Sequence, residues 1–189
     1  EHGVARGATG TTDNNSIEMH YGKIMFDAAR KPGMELSSKF DAITNYAMEM
    51  GFSDAPSSLT TLNETALTAA AVPTEASNGV TDRASMIVNT DFTLVTAALV
   101  AVGTTDSTET GAKLGTFAHA ADTYSVWRLQ VANRGAFGII DDNYGQVGRL
   151  AVGPDTAVLM RPYIIVATKN VTAKFPEIDY WRMWMERAY

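Results

Sequence analysis

The chain has 189 residues, a net charge of −6, 46% apolar residues, only 19% charged residues and no cysteine. That length suits one domain with a core large enough to need no metal or disulfide staple. The missing cysteines exclude disulfides, thiolate nucleophiles, zinc–thiolate centres and iron–sulfur clusters. The acidic balance argues against general nucleic-acid binding, and no run of about 20 apolar residues is present to span a membrane.

Residues 1–15 (EHGVARGATGTTDNN) hold almost nothing to bury. They read as an extended or flexible arm ahead of a single β-rich domain over 16–189. The opening Glu1-His2-Gly3 carries no signal-peptide pattern, so a processed product is one expectation. Ile17, Met19 and Tyr21 alternate and predict a strand within 16–26, and Pro32-Gly33 marks the break after it. Leu36, Phe40, Ile43, Ala47 and Met50 recur at three- and four-residue steps, and Gly51 supplies a stop. This spacing predicts a helix over about 37–50 lying on one face or edge of a sheet. Leu59, Leu62, Ala66 and Ala70 allow a second helix over 57–72, ended by Pro73.

The β-rich region opens at Arg83. Short apolar runs predict strands at 84–89, 91–102, 124–132, 136–141, 147–152 and 157–168. Ser125, Trp127, Leu129 and Val131 alternate with Tyr124, Val126, Arg128 and Gln130, the pattern of a strand with one buried face. Pro162 inside the last run implies an edge, a bulge or two shorter strands. Asp141-Asp142-Asn143-Tyr144-Gly145 reads as a turn between two strands. Residues 103–123 read as a long polar loop. The tail, 175–189 (FPEIDYWRMWMERAY), fits a helix over 176–188 with Pro176 near its start, or a strand with Ile178, Tyr180, Arg182 and Trp184 in line. The helix is the preferred reading.

Catalytic chemistry finds little support. His2, His20 and His119 form no helical metal pair, and no G-x-S-x-G elbow singles out a serine. Asp141 and Asn143 fit the start of a calcium loop, but Gly145 and Gln146 occupy its fifth and sixth positions and no distal acid follows. Carboxylates such as Asp122 and Asp155 cannot be paired across a cleft without a fold. No catalytic residue, cofactor site or metal site is therefore expected.

The expected architecture is mainly β: an antiparallel sandwich or jelly-roll-like fold with one or two peripheral helices. The leading functional expectation is a non-enzymatic, self-assembling virion subunit: a capsid, tail-tube or decoration protein. Its partners would be copies of itself or other coat subunits, and its location a virion or extracellular assembly. Tyr180, Trp181, Trp184, Met185 and Arg187 are the candidate subunit-interface residues, since aromatics, Met and Arg are enriched at interface cores. The alternative is a secreted or surface β-sandwich that binds carbohydrate or another ligand, with Trp127, Trp181 and Trp184 as stacking platforms. A small hydrolase without a visible motif ranks third. The charge distribution adds one hint. Residues 1–120 carry 7 basic and 14 acidic side chains, and 121–189 carry 8 basic and 7 acidic. The less acidic C-terminal third is suited to an acidic partner or to the N-terminal half of another copy.

Overall fold

The computed structural model describes residues 4–12, 15–20, 25–42, 44–55, 81–89, 98–105, 108–116, 120–131, 137–141, 146–150 and 153–187. For 98–105, 108–116, 137–141 and 146–150 only the backbone is described. The strands are β1 (Ala5–Arg6), β2 (Ser16–His20), β3 (Phe26–Asp27), β4 (Gly33–Lys39), β5 (Tyr46–Ser53), β6 (Arg83–Asn89) and β7 (Ala98–Thr105). They continue as β8 (Thr108–Thr116), β9 (Ser125–Val131), β10 (Phe137–Asp141), β11 (Gln146–Leu150), β12 (Leu159–Thr168) and β13 (Glu177–Trp184). A single 3₁₀ turn, Ala28–Arg30, is the only helical element among the described residues.

Two antiparallel sheets result. The first runs β1-β13-β4-β9-β10-β11 and the second β2-β12-β5-β6-β7-β8, with β3 added to β12. The expected mainly β, sandwich-like architecture is thus present. The first sheet contributes Met34, Leu36, Trp127, Leu129, Val131 and Ile178 to one shared core. The second contributes Met48, Met50, Phe52, Met86, Val88, Ile164 and Val166. Each such side chain contributes roughly 1.5–3 kcal/mol when fully buried, and the flexible methionines fill the irregular gap between twisted sheets. Phe26 and Phe52 meet with ring centroids 5.4 Å apart at 59°, a tilted contact within the favourable range for aromatic pairs.

β9 follows its sequence closely: Ser125, Trp127, Leu129 and Val131 are buried and the intervening residues are half-buried. Pro162 has a subtler solution. β12 pairs with β5 from Arg161 to Thr168, Pro162 standing opposite Phe52. On its other side β2 covers 163–167 and β3 covers 159–160. Pro162, which has no N–H to donate, falls in the gap between them, a local edge inside a central strand.

The helices are where the expectation fails. The apolar spacing over 37–50 is not a helix but two strands, β4 and β5, joined by a short turn. Met48, Met50 and Phe52 face the core while Ala47 lies on the opposite face, a period of two that the three- and four-residue coincidences hide. Asn45, at φ 56°, occupies the left-handed region at the turn, which Asn tolerates better than most residues. Residues 57–72 lie outside the described residues. The tail is a strand, not a helix over 176–188, because β13 pairs with β4 from Glu177 to Trp184. The supposed loop at 103–123 contains β8, which forms a hairpin with β7 closed by Thr105 opposite Thr108. Thr and Gly made that stretch look unstructured, yet Thr's branched Cβ suits a strand.

Candidate functional site

Among the described residues the inward side chains of both sheets pack into the shared core, so the site is sought on an outer face or an edge. The outer face of the first sheet carries the most organised chemistry, and a β-bulge in β13 sets it up. Ile178 stands opposite Ser38 and Tyr180 opposite Ser37, so Asp179 is the extra residue. The bulge reverses the alternation of the strand. Ile178 turns into the core, and beyond the bulge Trp181 and Met183 pack against it. Tyr180, Arg182 and Trp184 are left on the outer face.

Pairing then stacks that face in rows. Trp184 lies opposite Gly33, and Gly33 opposite Gln130. Arg182, Glu35 and Arg128 form the next row, and Tyr180, Ser37 and Val126 the one after. Glu177 opposite Lys39 closes the series. Successive rows on one face are about 7 Å apart, twice the rise of a strand residue.

Glu35 is the hub. Its side chain is only 3% exposed although it stands on the outer face. It accepts hydrogen bonds from Arg128 Nε, from Tyr180 Oη at 2.8 Å and from Arg182 Nε at 2.7 Å and Nη2. Burial alone pushes its carboxyl up, but the hydrogen bonds from Arg128, Tyr180 and Arg182 outweigh it and hold the group below the usual carboxylate value. An ionised Glu35 therefore fixes two guanidiniums side by side. Arg182 stays 63% exposed, so most of its fork faces solvent. Its guanidinium also lies 5.2 Å from the centre of the Tyr180 ring.

Beside this row, Trp184 lies flat on the sheet. A Cβ on Gly33 would overlap the indole and stand 2.6 Å from Gln130 Oε1, so only glycine leaves room. Trp184 Nε1 donates to Gln130 Oε1 at 2.8 Å. Gln130 is itself held by its amide nitrogen, which donates to the Lys31 carbonyl at 2.6 Å and the Val131 carbonyl at 3.1 Å. The indole is thus a fixed platform, 39% exposed. At the far end Glu177 is shared by Lys39, 2.8 Å away, and Arg6. Their hydrogen bonds hold its carboxyl below the usual value. Tyr124 Oη donates to the same carboxylate at 3.4 Å.

Of the residues expected at a subunit interface, Tyr180 and Trp184 belong to this face. Trp181 instead packs on the core, and Met185 and Arg187 are exposed beyond β13. Of the three tryptophans proposed as stacking platforms, Trp127 is buried with Nε1 donating to Ser38 Oγ at 3.2 Å, and only Trp184 is presented outward. Sequence reasoning missed Glu35, Arg128 and Gln130. Arg128 and Gln130 were legible as the non-buried set of β9, whereas Glu35 was hidden beside the false helix.

No family model matches the sequence, and no curated protein matches it. Solved structures do match the fold. The carbohydrate recognition domain of Emp46p in its potassium-bound form superposes with a TM-score of 0.64 at 9% identity, over 98% of this chain and 89% of that one. A family 7 alginate lyase, A1-II′, in complex with substrate gives 0.62 at 10% identity, over 99% and 80%. The alginate lyase PA1167 from Pseudomonas aeruginosa gives 0.55 at 10% identity, over 92% and 74%. The chain is similar to these in fold. This likeness overturns the expectation of a virion subunit: the matched folds belong to carbohydrate-recognition domains and alginate lyases. Self-assembly and coat partners gain no support from it. No helix among the described residues is long and apolar enough to cross a membrane.

Proposed function

We propose that the protein is a carbohydrate-binding β-sandwich whose binding surface is the outer face of the first sheet, and that its ligand is an acidic polysaccharide. The observation that carries this is the Arg182–Glu35–Arg128 row beside the Trp184 platform. A sugar ring presents an apolar C–H face that stacks on an exposed indole. A uronate carboxylate suits the planar guanidinium fork, which binds it through two parallel hydrogen bonds. Both arrangements are set before ligand arrives: Glu35 holds the guanidiniums, and Gly33 with Gln130 holds the indole. Pre-organisation of this kind lowers the ordering cost of binding. The sharing of Glu177 between Arg6 and Lys39 extends the same cationic character along the sheet. The fold neighbours that recognise or act on carbohydrate support the reading.

Binding without cleavage is part of the proposal. Lyase chemistry at a uronate needs a base to remove a carbon-bound proton. The two tyrosines on this face are set as donors, Tyr180 to Glu35 and Tyr124 to Glu177. Burial, followed by the neighbouring carboxylate, raises the pKa of each. Such a phenol is poorly placed to accept a proton.

Tryptophan fluorescence titration with alginate oligosaccharides and with neutral cello-oligosaccharides tests this. A saturable change with the uronate series, at least ten-fold weaker with the neutral series and lost in Arg182→Ala, is the expected result. Equal response to both series, or no response, refutes the acidic-glycan reading. Appearance of the ultraviolet absorbance of an unsaturated uronate product refutes binding without cleavage.

A further inference from the structure

A second recess lies on the flank of the sandwich, where β1 and β13 of the first sheet approach β2 of the second. It encloses about 510 Å³ and is lined by Ala5, Glu18, Met19, His20 and residues 178–181. That volume is within the usual range for small-molecule pockets. Its walls are mixed. Met19, Ile178 and Trp181 supply apolar surface, and Glu18 and Asp179 supply carboxylates. Asp179 is the bulge residue of β13, with no cross-strand partner of its own.

Glu18 is the feature that calls for a ligand. The side chain is half-buried, and its Oε1 is shielded from solvent with no protein donor. Buried carboxylate oxygens ordinarily have one, because water is no longer there to supply it. Burial raises the pKa of this carboxyl, and the charge of His20 only partly offsets that. The group is therefore short of a donor, and best of a donor carrying positive charge. A metal ion fits poorly. No cluster of three or more His, Cys, Asp or Glu suited to a metal occurs among the described residues, and the apolar walls offer a hydrated ion nothing.

We propose that this flank recess is a second binding site, which borders the glycan face at Tyr180 but does not use its arginines or Trp184, for a small organic cation: an amine or amidine on an apolar body, its N–H groups meeting Glu18 and its body resting on Met19, Ile178 and Trp181. Titration of ¹⁵N-labelled full-length protein with benzamidine, and with its neutral counterpart benzamide, tests this by NMR. Benzamidine is expected to shift the amides of residues 18–20 and 178–179, which lie outside the glycan face, and to bind at least ten-fold more tightly than benzamide. Glu18→Gln is expected to weaken benzamidine at least ten-fold while leaving the affinity for alginate oligosaccharide unchanged. Equal affinity for the two probes, shifts lying elsewhere, or undiminished binding in Glu18→Gln overturns the proposal. Should Glu18→Gln fail to fold, the comparison of the two probes on the unaltered protein decides alone, and neither outcome bears on the glycan face.

Discussion

Replacing Glu35 by Gln removes one charge and should be felt in both stability and binding. Glu35 is 3% exposed and receives hydrogen bonds from Tyr180, Arg128 and Arg182. Breaking a fully buried charge network costs about 3–5 kcal/mol. Here the partners sit at the surface, Arg128 37% and Arg182 63% exposed, so both recover water, and Gln keeps one acceptor oxygen. The expected loss is therefore about 2 kcal/mol, near the value of one charge-assisted hydrogen bond. For a chain of this size that lowers Tm by roughly 4–8 °C at neutral pH. The sign of the pH dependence follows from the lowered carboxyl. Its stabilising effect is fully present above the usual carboxylate value of 4.5 and is lost as pH falls through the lower folded value. The Tm gap between the unaltered protein and Glu35→Gln should hence be widest near neutrality and close in acid. Calorimetry in a pH series measures it. A gap below about 1 °C at neutral pH, or one that widens in acid, refutes the role assigned to Glu35.

Other substitutions probe other parts of the molecule. Gly33→Ala should lift Trp184 off the sheet, changing its fluorescence and weakening oligosaccharide binding about ten-fold, or about 1.4 kcal/mol. Global stability should fall by about 1–3 kcal/mol, the usual cost of overpacking. Phe52→Ala, which removes a fully buried ring in contact with Phe26, should cost about 3–5 kcal/mol in urea denaturation and leave ligand affinity in the folded protein unchanged. On the outer face of the second sheet, Glu49 is buried with Arg83 3.2 Å away and accepts a 2.5 Å hydrogen bond from Tyr163. Arg83→Met should strand that carboxylate and cost about 3–5 kcal/mol, measured the same way.

The sheets were legible in the sequence because their strands carry their own periodicity. β9 alternates cleanly, and β6 and β12 are apolar runs that only a covered sheet accommodates. β4 and β5 were misread for a physical reason. The turn joining them is short enough to bring two period-two patterns into apparent helical step, so Leu36, Phe40, Ala47 and Met50 look like one stripe. Reading Met48, Met50 and Phe52 against Ala47 and Gly51 would have found β5. In the tail, the strand reading had Tyr180, Arg182 and Trp184 in line. What the sequence did not disclose was the bulge at Asp179, which sends Ile178 inward and these three outward. Glu35 was invisible as a functional residue because its partners Arg128 and Arg182 lie far away in sequence, and only the pairing of β13 with β4 and β4 with β9 unites them. The less acidic C-terminal third is the part that supplies Arg128 and Arg182.

The most direct test of the central claim is where an acidic oligosaccharide binds. Amide shifts of the ¹⁵N-labelled protein on addition of alginate oligosaccharide should concentrate at residues 33–37, 126–130 and 180–184, the three strands that carry Trp184, Arg182, Glu35 and Arg128. Shifts confined to the second sheet or to the flank recess at Glu18, or none at saturating ligand, would contradict the claim.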